Sequence, residues 1–174
     1  LHRNPELSGL ESQTANHIRS FLEFNHPTEI IENLGGQGLA AIYEFSTNGP
    51  TIALRCELDA LPIDEENQFN HNSKTKGVSH KCGHDGHMAI LAGLIFWIKE
   101  QSFELGKVVL LFQSAEETGQ GAFQMLNDER FPLLDIDYIF ALHNIPGEEM
   151  HSIIITDYGF SAEVQSFSIK LKGK

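Results

Sequence analysis

Residues 80–87 read His-Lys-Cys-Gly-His-Asp-Gly-His and concentrate the side chains best suited to binding a metal ion. Cys82 and His84 are two positions apart, so in an extended segment both can point at one ion. Thiolate and imidazole are ligands that zinc-like metals prefer, and the glycines let the backbone fold tightly. The alternatives are solvated histidines, a small buried thiol or a structural zinc knot. A structural knot usually carries Cys-x-x-Cys pairs, which this sequence lacks.

Two adjacent carboxylates, Glu116 and Glu117, follow closely on an apolar run at residues 107–113. In isolation such a pair is more often a solvated turn. Beside a metal site the pair has a use, because adjacent residues in an extended segment point in opposite directions. One carboxylate can bind metal while the other takes a proton from water that the ion activates and delivers it to a leaving amine. The pattern predicts metal-assisted hydrolysis of an amide.

Further candidates occur where other apolar runs end. His143 follows the run at 137–142 and is a candidate ligand, although a histidine at a strand end is often satisfied by ordinary hydrogen bonds. Asp59 follows the run at 51–58 and could orient a ligand imidazole. Asp85 could do the same, or it could cap the helix that follows it.

The remaining histidines carry weaker signals. His87 stands one turn into the following helical run, and we interpret it as a supporting or structural residue rather than a ligand. His80 has no assigned role. His2, His17 and His26 have no ligand-like neighbours in the sequence, so they are predicted to be surface residues.

The elements that must position these residues can be predicted from hydrophobic periodicity and turn signals. Nearly continuous apolar runs are typical of buried parallel strands, and helical runs alternate with them. The prediction is an α/β fold with a mostly parallel central sheet flanked by helices. Asp59, Glu116, Glu117 and His143 then lie outside the carboxyl ends of strands, where open α/β sheets bind ligands. Strands are predicted at 29–33, 38–45, 51–58, 107–113, 137–142 and 152–156, with the third, fourth and fifth buried, and helices at 8–24, 88–98 and a short segment ending near 127.

The first helix shows an explicit start signal. Ser8 and Glu11 have the spacing of a capping box, in which each side chain bonds the backbone N–H group of the other residue. Leu10, Ile18, Phe21 and Leu22 are predicted to form the apolar stripe of this helix.

Length and charge restrict the function classes. A chain of 174 residues is long enough for one domain with a sizeable core. The formal net charge of −12 argues against nucleic acid or an anionic membrane as partner, because both attract basic surfaces. Cys56 and Cys82 are too few for a disulfide framework, which favours a reduced, cytoplasmic location. No apolar run approaches transmembrane length.

Five motifs, in order, resemble the metal-dependent aminoacylase family, which includes N-acyl-amino-acid amidohydrolases, hippurate hydrolase and plant auxin-conjugate hydrolases. They are Leu-His-Arg-Asn-Pro-Glu-Leu-Ser at 1–8, Leu-Asp-Ala-Leu-Pro-Ile at 58–63, the cluster at 80–87, Ala-Glu-Glu-Thr-Gly at 115–119 and Ala-Leu-His-Asn-Ile-Pro at 141–146. They cover the chain nearly end to end. The resemblance implies a zinc-aminopeptidase-like catalytic domain.

The resemblance also implies roles for individual residues. Cys82, His84, Glu117 and His143 match the family's metal ligands, and Glu116 matches its general base. The family site usually holds two divalent ions, zinc or manganese, bridged by the thiolate. Asp59 matches an acidic position that steadies a ligand histidine. The departures, Glu57-Leu58 in place of the common Asp-Met and Lys81 in place of Ala, touch no ligand.

The resemblance further predicts that the chain is truncated. Residues 1–164 would be the N-terminal part of the catalytic domain, and 165–174 the first strand of an α+β lid domain through which a homodimer forms. The alternation of apolar and polar residues at 165–172 is typical of a half-buried strand. The last metal ligand would then lie beyond Lys174, and the chain alone would be inactive.

Three functions are compatible with these residues. The first is an amidohydrolase that cleaves N-acyl amino acids or similar small, peptide-like amides, with Glu116 as the base. The second is a cysteine hydrolase with Cys82 as nucleophile, which leaves Glu116 and Glu117 without a role. The third is a metal-binding or dimerisation module without turnover, which has no need of a base.

Overall fold

The computed structural model describes residues 1–155, 157, 159 and 167–173. It divides into two units, Leu1–Asn144 and Ile145–Lys174. All helices and strands of the described residues belong to the first unit. In chain order they are α1 (Ser12–Phe24), β1 (Glu29–Glu32), β2 (Leu39–Glu44), β3 (Thr51–Glu57), α2 (His84–Glu100), β4 (Lys107–Gln113), α3 (Gly121–Leu126), a 3-10 helix (Phe131–Leu134) and β5 (Tyr138–Ala141).

The five strands form one sheet in the order β1-β2-β4-β3-β5. β3 pairs in parallel with β4 on one side and with β5 on the other, whereas β2 is antiparallel to both β1 and β4. Four strands therefore point the same way and only β2 is reversed. The predicted α/β class with a mostly parallel sheet is confirmed.

Both faces of the central strands are covered. In β4, Leu110 and Phe112 belong to the core under α1 and α2, while Val109 and Leu111 belong to the core on the opposite face with Met125. All four β4 residues are almost fully buried. Burial on both sides explains why this strand reads as a continuous apolar run.

The start of α1 differs from the prediction. The helix begins at Ser12, and the carboxylate of Glu6 accepts the Gln13 and Thr14 N–H groups at 3.2 and 2.7 Å. The capping box predicted for Ser8 and Glu11 is therefore wrong, because a residue further upstream satisfies these first-turn donors. Leu10 lies outside the helix and is 65% exposed.

Three other predicted elements differ. β5 was predicted to be buried, but it is an edge strand of the described sheet, with exposed side chains. Residues 152–155 form no strand, because no neighbouring strand pairs with them among the described residues; Thr156 lies outside those residues. Of the strand predicted at 165–172, the first two residues lie outside the described part, and 167–172 form no ladder within it.

The helix after the cysteine begins earlier than its apolar run. α2 starts at His84 rather than near Met88, so both His84 and His87 lie in its first turn. In the part of the chain that the structure describes, no helix combines the length and the apolarity needed to cross a membrane.

Candidate metal centre

The predicted site residues come together at one edge of the sheet. β3, β4 and β5 are parallel, so the segments that leave their carboxyl ends emerge at the same edge. These segments carry Asp59, the Glu116–Glu117 pair and His143, and the first turn of α2 brings His84 to the same place. With Cys82, which lies just before α2 and whose sulfur contacts His143, the structure brings together the six side chains predicted from sequence.

His84 is at the centre of the cluster and is almost fully buried. Its Nδ1 donates to the backbone carbonyl of Asp59 at 2.8 Å, which leaves the Nε2 lone pair free. Nε2 lies 3.6 Å from Glu116 Oε2 and 3.8 Å from Glu117 Oε1. Burial opposes a charge on this ring, but its contact with Asp59 and the nearby Glu57 carboxylate outweigh burial and raise the pKa of His84.

A second pair of possible ligands is Cys82 and His143. The Cys82 sulfur lies 3.4 Å from His143 Nε2. His143 Nδ1 donates to the Asn144 carbonyl at 2.8 Å, so this ring also presents Nε2 to the cluster. Burial raises the pKa of the Cys82 thiol to about 12, and the carboxylates of Glu117 and Glu116 add to the effect. A bound cation would offset this concentration of negative charge and favour the thiolate.

Asp59 is fully buried and organises the carboxylate side of the cluster. It accepts hydrogen bonds from the Ser8 hydroxyl at 2.7 Å and from the Glu117 backbone N–H at 2.9 Å. Burial alone would raise the pKa of Asp59, but its contact with His84 and these two bonds outweigh burial and lower the pKa to about 2. Asp59 therefore stays ionised behind His84.

The two adjacent glutamates have different surroundings. The Glu117 side chain is 19% exposed, and its Oε1 is buried without a hydrogen-bond partner among the described residues. The Glu116 side chain is 39% exposed. Burial raises the pKa of the Glu116 carboxyl, His84 opposes the rise, and the charge of Glu117 adds to it. The surroundings of Glu117 thus suit a metal ligand, whereas those of Glu116 suit a group that exchanges protons.

The residues present fit divalent metal ions. Two groups, Cys82–His84–His143 and His84–Glu116–Glu117, each offer ligand atoms within 4.8 Å of one another. Buried polar atoms normally have partners, yet His84 Nε2 and Glu117 Oε1 find none in the described part of the chain. Sulfur, nitrogen and carboxylate donors in this combination suit zinc and similar ions.

A third group with ligand-like spacing, Glu57–His84–His87, is different because Glu57 and His87 already bond to other residues. Glu57 pairs with Arg55 and accepts a hydrogen bond from His87 Nδ1 at 2.9 Å. Burial opposes ionisation of Glu57, but the bond from His87 and the charge of Arg55 lower its pKa. This group is therefore a hydrogen-bonded network rather than a metal site.

The same network reaches the segment after β5. His87 Nε2 accepts the Asn144 backbone N–H at 3.1 Å and lies 2.7 Å from the Asn144 side-chain oxygen. Gly83 permits this approach, because a Cβ there would lie 2.5 Å from that oxygen. His87 therefore hydrogen bonds to Asn144, the residue that follows His143, in agreement with its predicted supporting role. The role of Glu57 was missed, although a carboxylate inside a buried strand is itself a signal.

His2 differs from its sequence-based interpretation, and the buried position of His80 was not predicted. His2 was predicted to be a surface residue, but its ring nitrogens lie 2.7 Å from an Asp85 oxygen and 2.8 Å from a Glu65 oxygen. Asp85 therefore contacts His2 and makes no capping bond to α2. His80 is 5% exposed, and burial lowers its pKa to about 4. The partners of His2 are 83 and 63 positions away in sequence, so local patterns did not reveal them.

Comparison with known families agrees with the geometry. The family described as peptidase family M20/M25/M40 matches residues 53–170, which is more than half of the chain. The chain belongs to this family. The names of similar proteins confirm the predicted aminoacylase and amidohydrolase type.

Three relatives illustrate the similarity. N-acetyl-L-cysteine deacetylase of Bacillus subtilis is 38% identical over 100% of this chain and 41% of its own length. Hippurate hydrolase of Campylobacter jejuni is 34% identical over 100% of this chain and 45% of its own length. An IAA-amino acid hydrolase of Arabidopsis thaliana, ILR1-like 6, is 40% identical over 82% of this chain and 30% of its own length. The chain thus spans less than half the length of each relative.

Solved structures show the same fold. A Bacillus subtilis protein described as a dinuclear metal binding peptidase from the M20 family matches with a TM-score of 0.76 and 36% identity, covering 84% of this chain and 41% of that protein. A putative aminohydrolase from methicillin resistant Staphylococcus aureus matches with a TM-score of 0.75 and 37% identity, covering 82% of this chain and 38% of that protein. Both matches agree with the predicted catalytic-domain fold.

Proposed function

We propose that the intact protein is a metal-dependent amidohydrolase that cleaves the amide bond of N-acyl amino acids or similar small, peptide-like amides. One observation carries the proposal: His84 Nε2 and Glu117 Oε1 are buried without partners in the described structure, beside the more exposed Glu116. The relatives named as a deacetylase and a hippurate hydrolase support this substrate class.

Cys82, His84, Glu117 and His143 would hold two divalent ions, zinc or manganese, and the relative described as dinuclear supports that number. When bound, the ions supply Lewis acidity, which polarises the amide carbonyl and makes water more acidic. Asp59 and the Asn144 carbonyl accept the Nδ1 protons of His84 and His143, and so orient both rings with Nε2 toward the cluster.

Glu116 would act first as base and then as acid. Its raised pKa lets the carboxylate take a proton from the attacking water and later release that proton to the leaving nitrogen. Its partial exposure leaves room for water and substrate. The raised pKa of Cys82 argues against the alternative of a thiolate nucleophile, because the thiol is the unreactive form. A well-placed Glu116 argues against a module without turnover.

The other predictions remain part of the proposal. We propose that residues 1–164 supply part of the catalytic domain and that 165–174 begin a lid through which two copies form a homodimer. The greater length of the relatives is compatible with such a lid. We also propose a reduced, cytoplasmic location, which suits two free cysteines of which one is a ligand.

The test compares the intact wild-type protein with Glu116→Gln. We expect equal metal content by elemental analysis, and a loss of kcat of about 10²–10⁴-fold in the variant, because a general base is removed while Glu117 remains. The assay measures hydrolysis of N-acetyl- and N-benzoyl-amino acids. Glu104→Gln is the matched control, since Glu104 is exposed and lies outside the site. Activity that survives both metal chelation and Glu116→Gln would contradict the mechanism.

A further inference from the structure

Glu11 is a buried carboxylate that the proposed reaction does not use. It is 0% exposed, and its Oε1 accepts the backbone N–H of Ala115 at 2.7 Å, across 104 positions of sequence. Burying a carboxylate is unfavourable unless it is hydrogen bonded, as Oε1 of Glu11 is to Ala115. The residue that it binds lies immediately before Glu116 and Glu117.

Ala115 has an unusual backbone conformation. Its φ is +50°, in the left-handed region that residues with a Cβ rarely adopt. Its N–H donates to Glu11, and its carbonyl accepts the Gly121 N–H at 2.9 Å and the Thr118 hydroxyl at 3.2 Å. Both sides of the strained residue are therefore held by hydrogen bonds, which is how such conformations persist.

This conformation determines where the next two side chains go. β4 ends at Gln113, and the left-handed step at Ala115 redirects the chain before Glu116 and Glu117. The two carboxylates then approach His84 Nε2 at 3.6 and 3.8 Å. A right-handed or extended Ala115 would send the following residues in another direction.

We infer that Glu11 is a positioning residue, whose hydrogen bond holds Ala115 in the left-handed conformation and thereby directs Glu116 and Glu117 into the metal centre. The roles of these two glutamates rest on the proposed function. The conformational role of Glu11 does not, so the two can be tested separately.

The test uses the intact protein with four changes: Glu11→Ala, Glu11→Gln, Ala115→Gly and the double variant Glu11→Ala/Ala115→Gly. Glutamine keeps an oxygen that can accept the Ala115 N–H group. Glycine adopts positive φ without a steric penalty, so it should hold the turn without Glu11. Rescue by glycine is expected only if the function of Glu11 is conformational.

The first measurement is Co²⁺ affinity, followed by the absorption of the bound ion. We expect Glu11→Ala to weaken binding about tenfold, which corresponds to the loss of one buried hydrogen bond. Glu11→Gln and the double variant should remain close to wild type. The matched control is Glu6→Ala, which removes another carboxylate of the same segment that bonds to α1 but not to Ala115. It should leave Co²⁺ binding unchanged.

The second measurement is amide hydrogen exchange in the metal-free protein. The Gly119 and Gly121 N–H groups bond to the carbonyls of Glu116 and Ala115 at 2.7 and 2.9 Å and report on this turn. We expect faster exchange of both in Glu11→Ala and recovery in the double variant. If Glu11→Ala does not fold, folding of the double variant supports the inference, and its failure contradicts it.

The outcomes separate the two proposals. A wild type that binds Co²⁺ but hydrolyses no acyl amino acid would overturn the proposed function, and the Glu11 comparison would still decide the inference. Wild-type-like affinity and exchange in Glu11→Ala would overturn the inference alone. If the wild type binds no Co²⁺, the exchange comparison in the metal-free protein decides the inference. A loss of affinity or faster exchange in Glu11→Ala that glycine at position 115 does not reverse would also overturn it.

Discussion

At the residue scale, the site depends on which ring nitrogens and carboxylate oxygens have hydrogen-bond partners and which do not. His84 and His143 each donate Nδ1–H to a backbone carbonyl, at 2.8 Å in both cases. This choice of tautomer directs both Nε2 lone pairs toward the same cluster. Asp59 supports the arrangement from behind with a carboxylate that is fully buried and hydrogen bonded. Both Nε2 atoms are thus available to a cation at the proposed site.

The low pKa of Asp59 predicts how the stability of the metal-free protein depends on pH. The folded-state pKa is about 2 and the reference value is 3.8, so the stabilisation is present above pH 4 and is lost as the pH falls toward 2. We expect the difference in unfolding free energy between wild type and Asp59→Asn to shrink by roughly 2 kcal/mol over that range. Urea unfolding at several pH values measures it. Asp135→Asn, at an exposed position, is the matched control. A constant difference for Asp59→Asn would contradict the prediction.

At the scale of elements, the loop between β4 and α3 is the part whose shape matters most to the site. It leaves the sheet at Ser114, turns back, and enters α3 at Gly121 so closely that a Cβ there would lie 1.6 Å from the Ser114 carbonyl oxygen. Gly93, inside α2, is different, because a Cβ there would meet no atom within 4 Å. A close backbone contact therefore requires glycine at position 121, whereas no neighbouring atom requires glycine at position 93.

These glycines form a matched pair of predictions. Gly121→Ala should destabilise the protein by about 1–3 kcal/mol, because the backbone of the loop must move. It should also weaken metal binding, because Glu116 and Glu117 move with the loop. Gly93→Ala should stabilise by roughly 0.5–1 kcal/mol, since alanine favours an open helix position. Denaturant unfolding measures both. Equal effects of the two substitutions would show that the close contact at Ser114 is not restrictive.

At the scale of the whole chain, β5 leaves one edge of the described sheet open. Tyr138, Ile139 and Phe140 are 60%, 55% and 56% exposed, and β5 pairs only with β3 in the described residues. An edge strand with exposed apolar side chains is a template for pairing with another chain. The contrast with the buried β4 shows that similar apolar runs can have different surroundings.

We expect the 174-residue chain, prepared by itself, to self-associate through this edge. Ile139→Lys should reduce association, because a charged side chain disfavours strand pairing at an edge. Ile90→Lys is the matched control, since Ile90 is 58% exposed but lies on α2. Sedimentation velocity over a range of concentrations measures the effect. If both substitutions reduce association equally, general surface hydrophobicity rather than the strand edge is responsible.

Much of the fold and site was predictable because the signals are local. β4 was predicted to the residue, since burial on both faces produces an unbroken apolar run that ends where the sheet ends. The candidate ligands were predictable for a related reason. Cys82 and His84 are close in sequence, and Asp59, Glu116 and His143 each follow a strand whose end is visible in the hydrophobic pattern.

The sequence by itself thus determined the central strands β3 and β4, the order of the motifs and the set of candidate metal-binding residues. Only the tertiary structure decided the partners of Ser8 and Glu11, which have the spacing of a capping box but bond to Asp59 and Ala115, 51 and 104 positions away. It also decided that β5 is exposed. The physical reason is that a hydrogen-bonding side chain takes the best partner in space, and burial depends on neighbours that a local pattern does not contain.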